Sequence, residues 1–382
     1  MLLHNKKIAI VGGGPGGLTL ARLLQLKGAN VTVYERDLHR NVRVQGATLD
    51  LHEDSGLLAL KEAGLMDAFQ ANFRPGADQL RIVDKQATIL FDDSEQKSSS
   101  QEWFRPEIDR GPLRKILLDA LEPNTVIWDS HSSTLIPLGE GWKIEFKNGT
   151  FALADIVIAA DGANSRIRPW ITPLKPFYSG MTMVEGVVYD CAQVVPQLYK
   201  LLNGGKIFAL GDEKSLIVSS KGDGSLVFYT GCKTNEFWHR DSGIDFKDNK
   251  QMMAWFKREF SEWSDIWLQL FEKAESPFIA RPQYCMPLDQ HWEALPNLTM
   301  IGDAAHVMPP YAGEGVNMAM LDALVLSRCL TEQGLSDIQT GIAHYEKEMC
   351  ARFLEMGRLT LEQTASIHSP QGLERLLALF DQ

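Results

Sequence analysis

Ile8-Ala9-Ile10-Val11-Gly12-Gly13-Gly14-Pro15-Gly16-Gly17-Leu18-Thr19-Leu20-Ala21-Arg22-Leu23-Leu24 is the stretch whose reading decides the fold. Four consecutive apolar residues suit a strand buried on both faces, as in a parallel sheet. Leu18–Leu24 reads as a helix packed on that strand, Gly28 ends it, and Val31-Thr32-Val33-Tyr34-Glu35 supplies a second strand. The unit is β-α-β. Its turn carries Gly12-x-Gly14-x-x-Gly17, with Glu35 eighteen residues past the last glycine. Gly12 permits the tight turn, Gly14 lets backbone approach a pyrophosphate, and Gly17 lets helix and strand pack closely. A phosphate then sits on a helix N-terminus, and a carboxylate at the end of the second strand accepts hydrogen bonds from an adenosine ribose. This pattern predicts dinucleotide binding without distinguishing FAD from NAD.

Two later stretches repeat the strand-then-turn theme. Leu298-Thr299-Met300-Ile301 runs into Gly302-Asp303, placing Asp303 where it can bind a polyol hydroxyl. Pro309-Pro310-Tyr311-Ala312-Gly313-Glu314-Gly315 continues as a stiff, then permissive, loop that opens a helix at Val316-Asn317. The free N–H groups and partial positive charge of such an N-terminus suit the pyrimidine edge of a flavin. Asp155-Ile156-Val157-Ile158-Ala159-Ala160 likewise runs into Asp161-Gly162, with Arg166 and Arg168 beyond. Taken alone, that third stretch is as consistent with a structural β-turn as with a site.

The rest of the chain narrows the class. Its 382 residues suggest about two domains, and 45% hydrophobic with 23% charged residues is ordinary for a globular core. A formal charge of −11 argues against a nucleic-acid surface and against anionic membranes. No apolar run approaches the ~20 residues of a membrane span, and the start leaves no room for a signal peptide. Five cysteines without a CxxC pair fit a reduced cytosol, so a cytoplasmic location, no disulfide framework and no metal site are expected. Amphipathic helices are predicted over 56–70 and 111–121, strands over 126–128 and 142–146, and a polar loop over 92–102. From 176 to 279 short β-like runs (183–189, 206–210, 215–219, 225–232) precede a Trp-rich helical segment over 249–272, the texture of a separate sheet domain. Helices over 337–366 and 370–380 close the chain, and no exposed apolar stripe argues against a monomer.

GxGxxG first, Asp-Gly in the middle and Gly-Asp late, in that order, resemble the group A FAD-dependent aromatic hydroxylases over nearly the whole chain. Within that group the strings VGGGPGGLTLARLLQLKG, VTVYERD, GATLDLHEDSG, RPEIDRGPLRKILLDAL, NTVIWD and IGDAAHVMPPYAGEGVN are similar to the TetX-type tetracycline-inactivating monooxygenases. The resemblance implies an α/β fold: a Rossmann-like FAD domain built from 1–75, 105–175 and 280–335, an inserted mixed-sheet substrate domain from 76–104 and 176–279, and a C-terminal helical segment, 336–382, bracing the two. It implies that Glu35 and Arg36 hold adenosine, that Arg43 reaches the isoalloxazine and is linked to NADPH, and that Asp50, Arg110 and nearby Arg114 bind FAD. Asp161 belongs to the same grip, Asp303 holds the ribityl or phosphate region, and Pro310, Gly313, Gly315, Val316 and Asn317 line the flavin. Arg110 and Arg114 are one helical turn apart and share a face that can be directed at a pyrophosphate, though a solvated face is the commoner fate of such pairs.

The chemistry implied is that NADPH or NADH reduces FAD, O2 adds at C4a, and the distal oxygen passes to an electron-rich carbon of a small polycyclic or phenolic compound. The cofactor carries the hard step, so no nucleophile or general base is assigned. His306 is read as a structural hydrogen-bonding residue, and Trp255, Trp263 and Trp267, at helical spacings, as packing. The family reads the tetracycline polar edge with Gln, Arg and His side chains on the middle sheet, where this chain carries Glu185, Lys206 and Val227, with Phe208 close by. A family loop phenylalanine is Tyr311 here, and Met308 and Tyr311 are substrate-wall candidates. Lys lacks the planar fork of Arg and Val227 cannot hydrogen-bond, so tetracycline inactivation, and with it antibiotic resistance, is one candidate among other phenolic substrates. Two alternatives stay open at this level: an FAD-dependent reductase of the same fold, and a non-catalytic flavin-binding protein.

Overall fold

A computed structural model describes residues 2–42, 46–93, 105–331 and 336–380. Arg43 lies outside the described residues, as does all of the polar stretch 92–102 except Asp92 and Asp93; Asp92 ends a strand rather than opening a loop. The centre of the molecule is a five-stranded sheet in the order Leu298–Met300, Ile156–Ala159, Lys7–Val11, Asn30–Tyr34, Val126–Ile127, parallel throughout. The first three strands of that order are buried almost without interruption because helix Pro15–Leu26 and a three-stranded antiparallel sheet, Ser132–Leu138, Gly141–Phe146 and Phe151–Ala154, pack against them, as their unbroken apolar runs require. Register aligns their ends. Val11 pairs with Ala159, and Ala159 with Met300, so the three strands stop level and release their turns at one edge of the sheet.

The second layer is a seven-stranded sheet in the order Glu275–Cys285, Phe177–Val188, Leu226–Lys233, Lys214–Ser220, Lys206–Gly211, Leu80–Asp84, Ile89–Asp92. Helical segments close one of its faces over an aromatic cluster that holds Trp255, Trp263 and Trp267, which are 3%, 6% and 0% exposed. These tryptophans are therefore packing residues. The other face carries the alternate side chains, among them Glu185, Lys206, Phe208, Val227 and Tyr229.

Several elements differ from the expected pattern. Residues 56–70 form two helices, Gly56–Glu62 and Met66–Gln70, because Gly64 adopts φ +71° between them. The 249–272 segment splits into Asn249–Glu259, a 3-10 turn Asp265–Trp267, and Leu268–Lys273. Strands Leu80–Asp84 and Ile89–Asp92 join the second sheet although their residues carry no clear alternation. The C-terminal segment is one 30-residue helix, Ile338–Ile367, and then Gly372–Leu377. Leu373, Leu376 and Leu377 pack with Phe208 and Phe91, seating the last helix against the second sheet. Among the described residues no helix is long and apolar enough to cross a membrane, and no cluster suits a metal ion.

Candidate functional site

The glycine turn shows why each glycine is there. A Cβ on Gly12, at φ +116°, would lie 2.1 Å from the Ala160 carbonyl oxygen, and one on Gly17 would lie 2.1 Å from the Gly12 carbonyl oxygen. Both positions are closed by backbone. A Cβ on Gly14 meets nothing within 4 Å, so the chain at that point faces open space. Gly14 is also the N-cap of helix Pro15–Leu26, with no side chain satisfying its first N–H groups. Glu35, 7% exposed, spans the turn: its carboxylate accepts from the Gly13 N–H at 2.5 Å and from the Asp37 N–H at 2.9 Å. A carboxylate has about four acceptor positions, so two remain for a ligand's hydroxyls. Arg36 beside it is exposed.

The two Asp-containing turns face the same edge and are stitched together by Arg168. Its buried guanidinium donates to the carbonyls of Ala304 (2.6 Å), Asp303 (2.8 Å) and Ala163 (3.1 Å). Arg168 is thus a joint between the turns, a role its neighbours in sequence did not signal. Asp161 accepts from the Arg166 N–H at 2.9 Å, but its other oxygen is buried without a partner, and burial pushes its carboxyl up. Asp303 is solvent-accessible, yet crowding also pushes its carboxyl up, against the pull of His306, Arg110 and Arg168. Accessible but desolvated is the mark of a side chain lining a concave wall. His306 itself is buried, with Nε2 2.5 Å from Asp322, which also accepts from the Gly302 N–H and from Arg352. It holds the turn and does not face the groove.

The opposite wall comes from Leu49–Asp50 and from the loop before helix Gly315–Thr331. Asn317, fully buried, donates to the Asp50 carbonyl at 3.0 Å and accepts from the His52 N–H at 2.9 Å. Its side chain therefore binds these two segments together. Gly313 takes φ +73°, and a Cβ on Gly315 would meet nothing within 4 Å. Arg110 donates to the Ala47 carbonyl at 3.0 Å. Arg114, one turn on, does not share its task. Its guanidinium pairs with Asp37 at 2.8 Å and lies 5.4 Å from the Trp128 ring centre.

On the second sheet, one row runs Ile82, Phe208, Ile217, Tyr229, Glu185, Ile279 across neighbouring strands. Tyr229 was not foreseen: its hydroxyl accepts from the Ala47 N–H at 2.9 Å, so it reaches the loop that Arg110 also holds. Burial, reinforced by Glu185, pushes that phenol up to about 12. Glu185 is 2% exposed, paired with Arg281 at 2.5 Å, and its second oxygen has no partner. Lys206 forms an ion pair with buried Glu107, whose carboxyl burial pushes up while Lys206 pulls it down. Val227 is fully buried, so it presents no surface to a ligand here. The Tyr311 hydroxyl is 3.4 Å from Nε2 of His368, which also meets Ser215 at 3.0 Å. Met308 packs in an apolar cluster with Val307, Met318 and Phe353. Both wall candidates are thus engaged with protein.

Open space before two glycines, an uncapped helix N-terminus, an orphaned Asp161 oxygen and a concave Asp303 wall fit a long, polyhydroxylated diphosphate. FAD satisfies each requirement. Comparison with known proteins agrees. The FAD binding domain family matches residues 5–111 and 294–352. Monooxygenase penA of Penicillium thymicola is 27% identical, covering 97% of each chain, and 6-hydroxynicotinate 3-monooxygenase of Pseudomonas fluorescens is 26% identical, covering 94% of this chain and 92% of its own. Among solved structures, Klebsiella pneumoniae HpxO complexed with FAD and uric acid superposes with TM-score 0.76 at 21% identity, covering 98% of this chain and 92% of that one. Tetracycline destructase Tet(51) does so with TM-score 0.71 at 18% identity, covering 98% and 93%. Both likenesses are of fold. The chain is a flavoprotein with an α/β FAD-binding fold. Within that class it is an FAD-dependent monooxygenase.

Proposed function

We propose that this monooxygenase hydroxylates a small phenolic or polycyclic compound, seated between the flavin groove and the row of side chains on the groove-facing side of the second sheet, with NADPH or NADH as reductant. The observation that carries the reading is the reach of Tyr229 from the middle of that sheet to Ala47, which puts sheet and groove within one side chain of each other. Bound FAD supplies the electron transfer and the oxygen activation. The chain's own residues grip, orient and exclude water. Gly12, Gly14, Gly17 and Glu35 hold the adenosine and pyrophosphate half; Asp161, Asp303, Asp50 and Arg110 hold the rest, with Pro310, Gly313, Gly315 and Val316 on the ring side. Charge on this face is paired, Glu185 with Arg281 and Lys206 with Glu107, so the substrate is neutral or carries donors toward the free Glu185 oxygen. Division of the chain into a discontinuous FAD domain, an inserted substrate domain and a C-terminal brace, acting as a monomer, belongs to the same proposal.

Tetracycline is the specific candidate, supported by the motif strings and by the Tet(51) fold. The 26% relative named for 6-hydroxynicotinate supports single-ring hydroxylated aromatics as the competing class. The deciding experiment tracks NADPH and O2 consumption across tetracyclines, phenols and hydroxypyridines, with mass spectrometry of products. A product heavier by one oxygen, formed only when NADPH and O2 are both consumed, supports the reading. NADPH oxidation that no compound in any of the three classes accelerates would rule it out.

A further inference from the structure

His52 sits beside the flavin groove without any expected contact with the dinucleotide. Its Nε2 lies 3.1 Å from an Asp50 carboxylate oxygen, and its Nδ1 lies 3.3 Å from a Glu314 oxygen. Asp50 belongs to the wall strand Leu49–Asp50, while Glu314 belongs to the loop between Gly313 and Gly315. The two segments are close enough that a Cβ added at Gly313 would come within 3.6 Å of the Asp50 carboxylate. With a neutral ring between them, two carboxylates would face one another across a partly desolvated gap, and repulsion would part them.

We propose that His52 is a positioning residue for the flavin: its imidazolium sets the gap between the Asp50 strand and the Gly313–Gly315 loop, and so couples retention of FAD to the protonation of one side chain. The inference rests on the FAD site described above. Solvent reaches the ring through a cavity of about 350 Å³ that His52 and Glu314 both line. The other charges facing it come from every neighbouring element. Arg105 approaches the same Asp50 oxygen at 3.9 Å; Glu53 and Asp54 come next after His52 in the chain; Arg352 and Glu355 face the cavity from helix Ile338–Ile367. Arg352 is already paired with Asp322 and Glu348, and Lys206 acts on Asp50 from the second sheet. Burial alone would lower the imidazole, but hydrogen bonds to Asp50 and Glu314 outweigh it and hold the ring up at about 9. A raised folded value means that the clasp is complete below 6.5 and is lost as pH rises through about 9.

Asn317 ties the same two segments through hydrogen bonds that do not titrate, so His52→Gln is expected to fold. The test dilutes FAD-loaded protein and reads the flavin fluorescence released, as a function of pH. Wild type should release FAD about tenfold more readily above pH 9 than at neutrality, since one pKa unit of coupling is a factor of ten. His52→Gln should release it more readily at neutral pH and lose the step; Glu314→Gln should move the step to lower pH. Ring nitrogen NMR of the loaded protein should place the His52 midpoint well above an ordinary histidine. A His52→Gln profile superimposable on wild type, or an ordinary midpoint, overturns the proposal. Wild-type protein that never carries FAD would instead overturn the flavin site itself, so the two failures are distinguishable.

Discussion

Gly14 and Gly17 occupy the same motif, yet their neighbours give them different consequences. A methyl at Gly17 meets backbone oxygen at 2.1 Å, whereas a methyl at Gly14 meets no protein atom. Gly17→Ala should therefore lower stability by about 1–3 kcal/mol through overpacking and weaken FAD binding with it. Gly14→Ala should melt like wild type while retaining little FAD, because the added carbon stands where phosphate approaches. Thermal unfolding and the flavin-to-protein absorbance ratio separate the two; equal melting losses would show that Gly14 also packs against protein. Arg168 belongs at this scale too. Three carbonyls depend on its guanidinium, and Arg168→Met would leave them unpaired in a buried joint, at a cost of about 1–3 kcal/mol for each one that water cannot reach. Chemical denaturation measures that cost, and a loss under about 1 kcal/mol would mean that water replaces the side chain.

At the scale of elements, the long C-terminal helix is fastened to the second sheet by a neutral histidine. His368 Nδ1 donates to the Thr364 carbonyl at 2.8 Å, which leaves Nε2 to accept from Ser215. Burial pulls the ring down from 6.5 to about 4. The unfolded chain then binds more protons than the folded one between those values, so stability is full above 6.5 and falls as pH drops toward 4. A shift of this size corresponds to about 3 kcal/mol at full expression. Urea denaturation at pH 7 and pH 4.5 should show the fall, and His368→Gln should flatten it. An unchanged slope in the variant would assign the acid sensitivity elsewhere.

For the whole molecule, the ion pair of Lys206 with Glu107 links the second sheet to the strand beside Asp50. Glu107 is 1% exposed, so Lys206→Met strands a buried carboxylate and should cost about 3 kcal/mol. Lys206→Met with Glu107→Leu should recover most of that, because replacing both charges removes the desolvation penalty together with the attraction. A double variant as unstable as the single would mean that the stranded carboxylate is not the source of the loss. Substrate choice also belongs here, since it depends on how sheet and groove face each other.

What the sequence determined by itself was local and periodic. The β-α-β unit, its three glycines, Glu35 and the order of the two later Asp turns come from spacing and from the need for φ > 0 or close approach, which neighbouring residues decide. Helical periodicity likewise marks Asn249–Glu259, but not the break that leaves Trp263 outside any helix. Tertiary structure decided where those pieces meet. Level strand ends bring three turns, each over a hundred residues from the next, to one edge. Cross-strand register sets Tyr229 beside Glu185, while packing directs Arg114 to Asp37 instead of the groove and turns Asn317 into a fastener. Partners so distant in the chain leave no periodic trace, because hydrogen-bond geometry and burial, not spacing, select them.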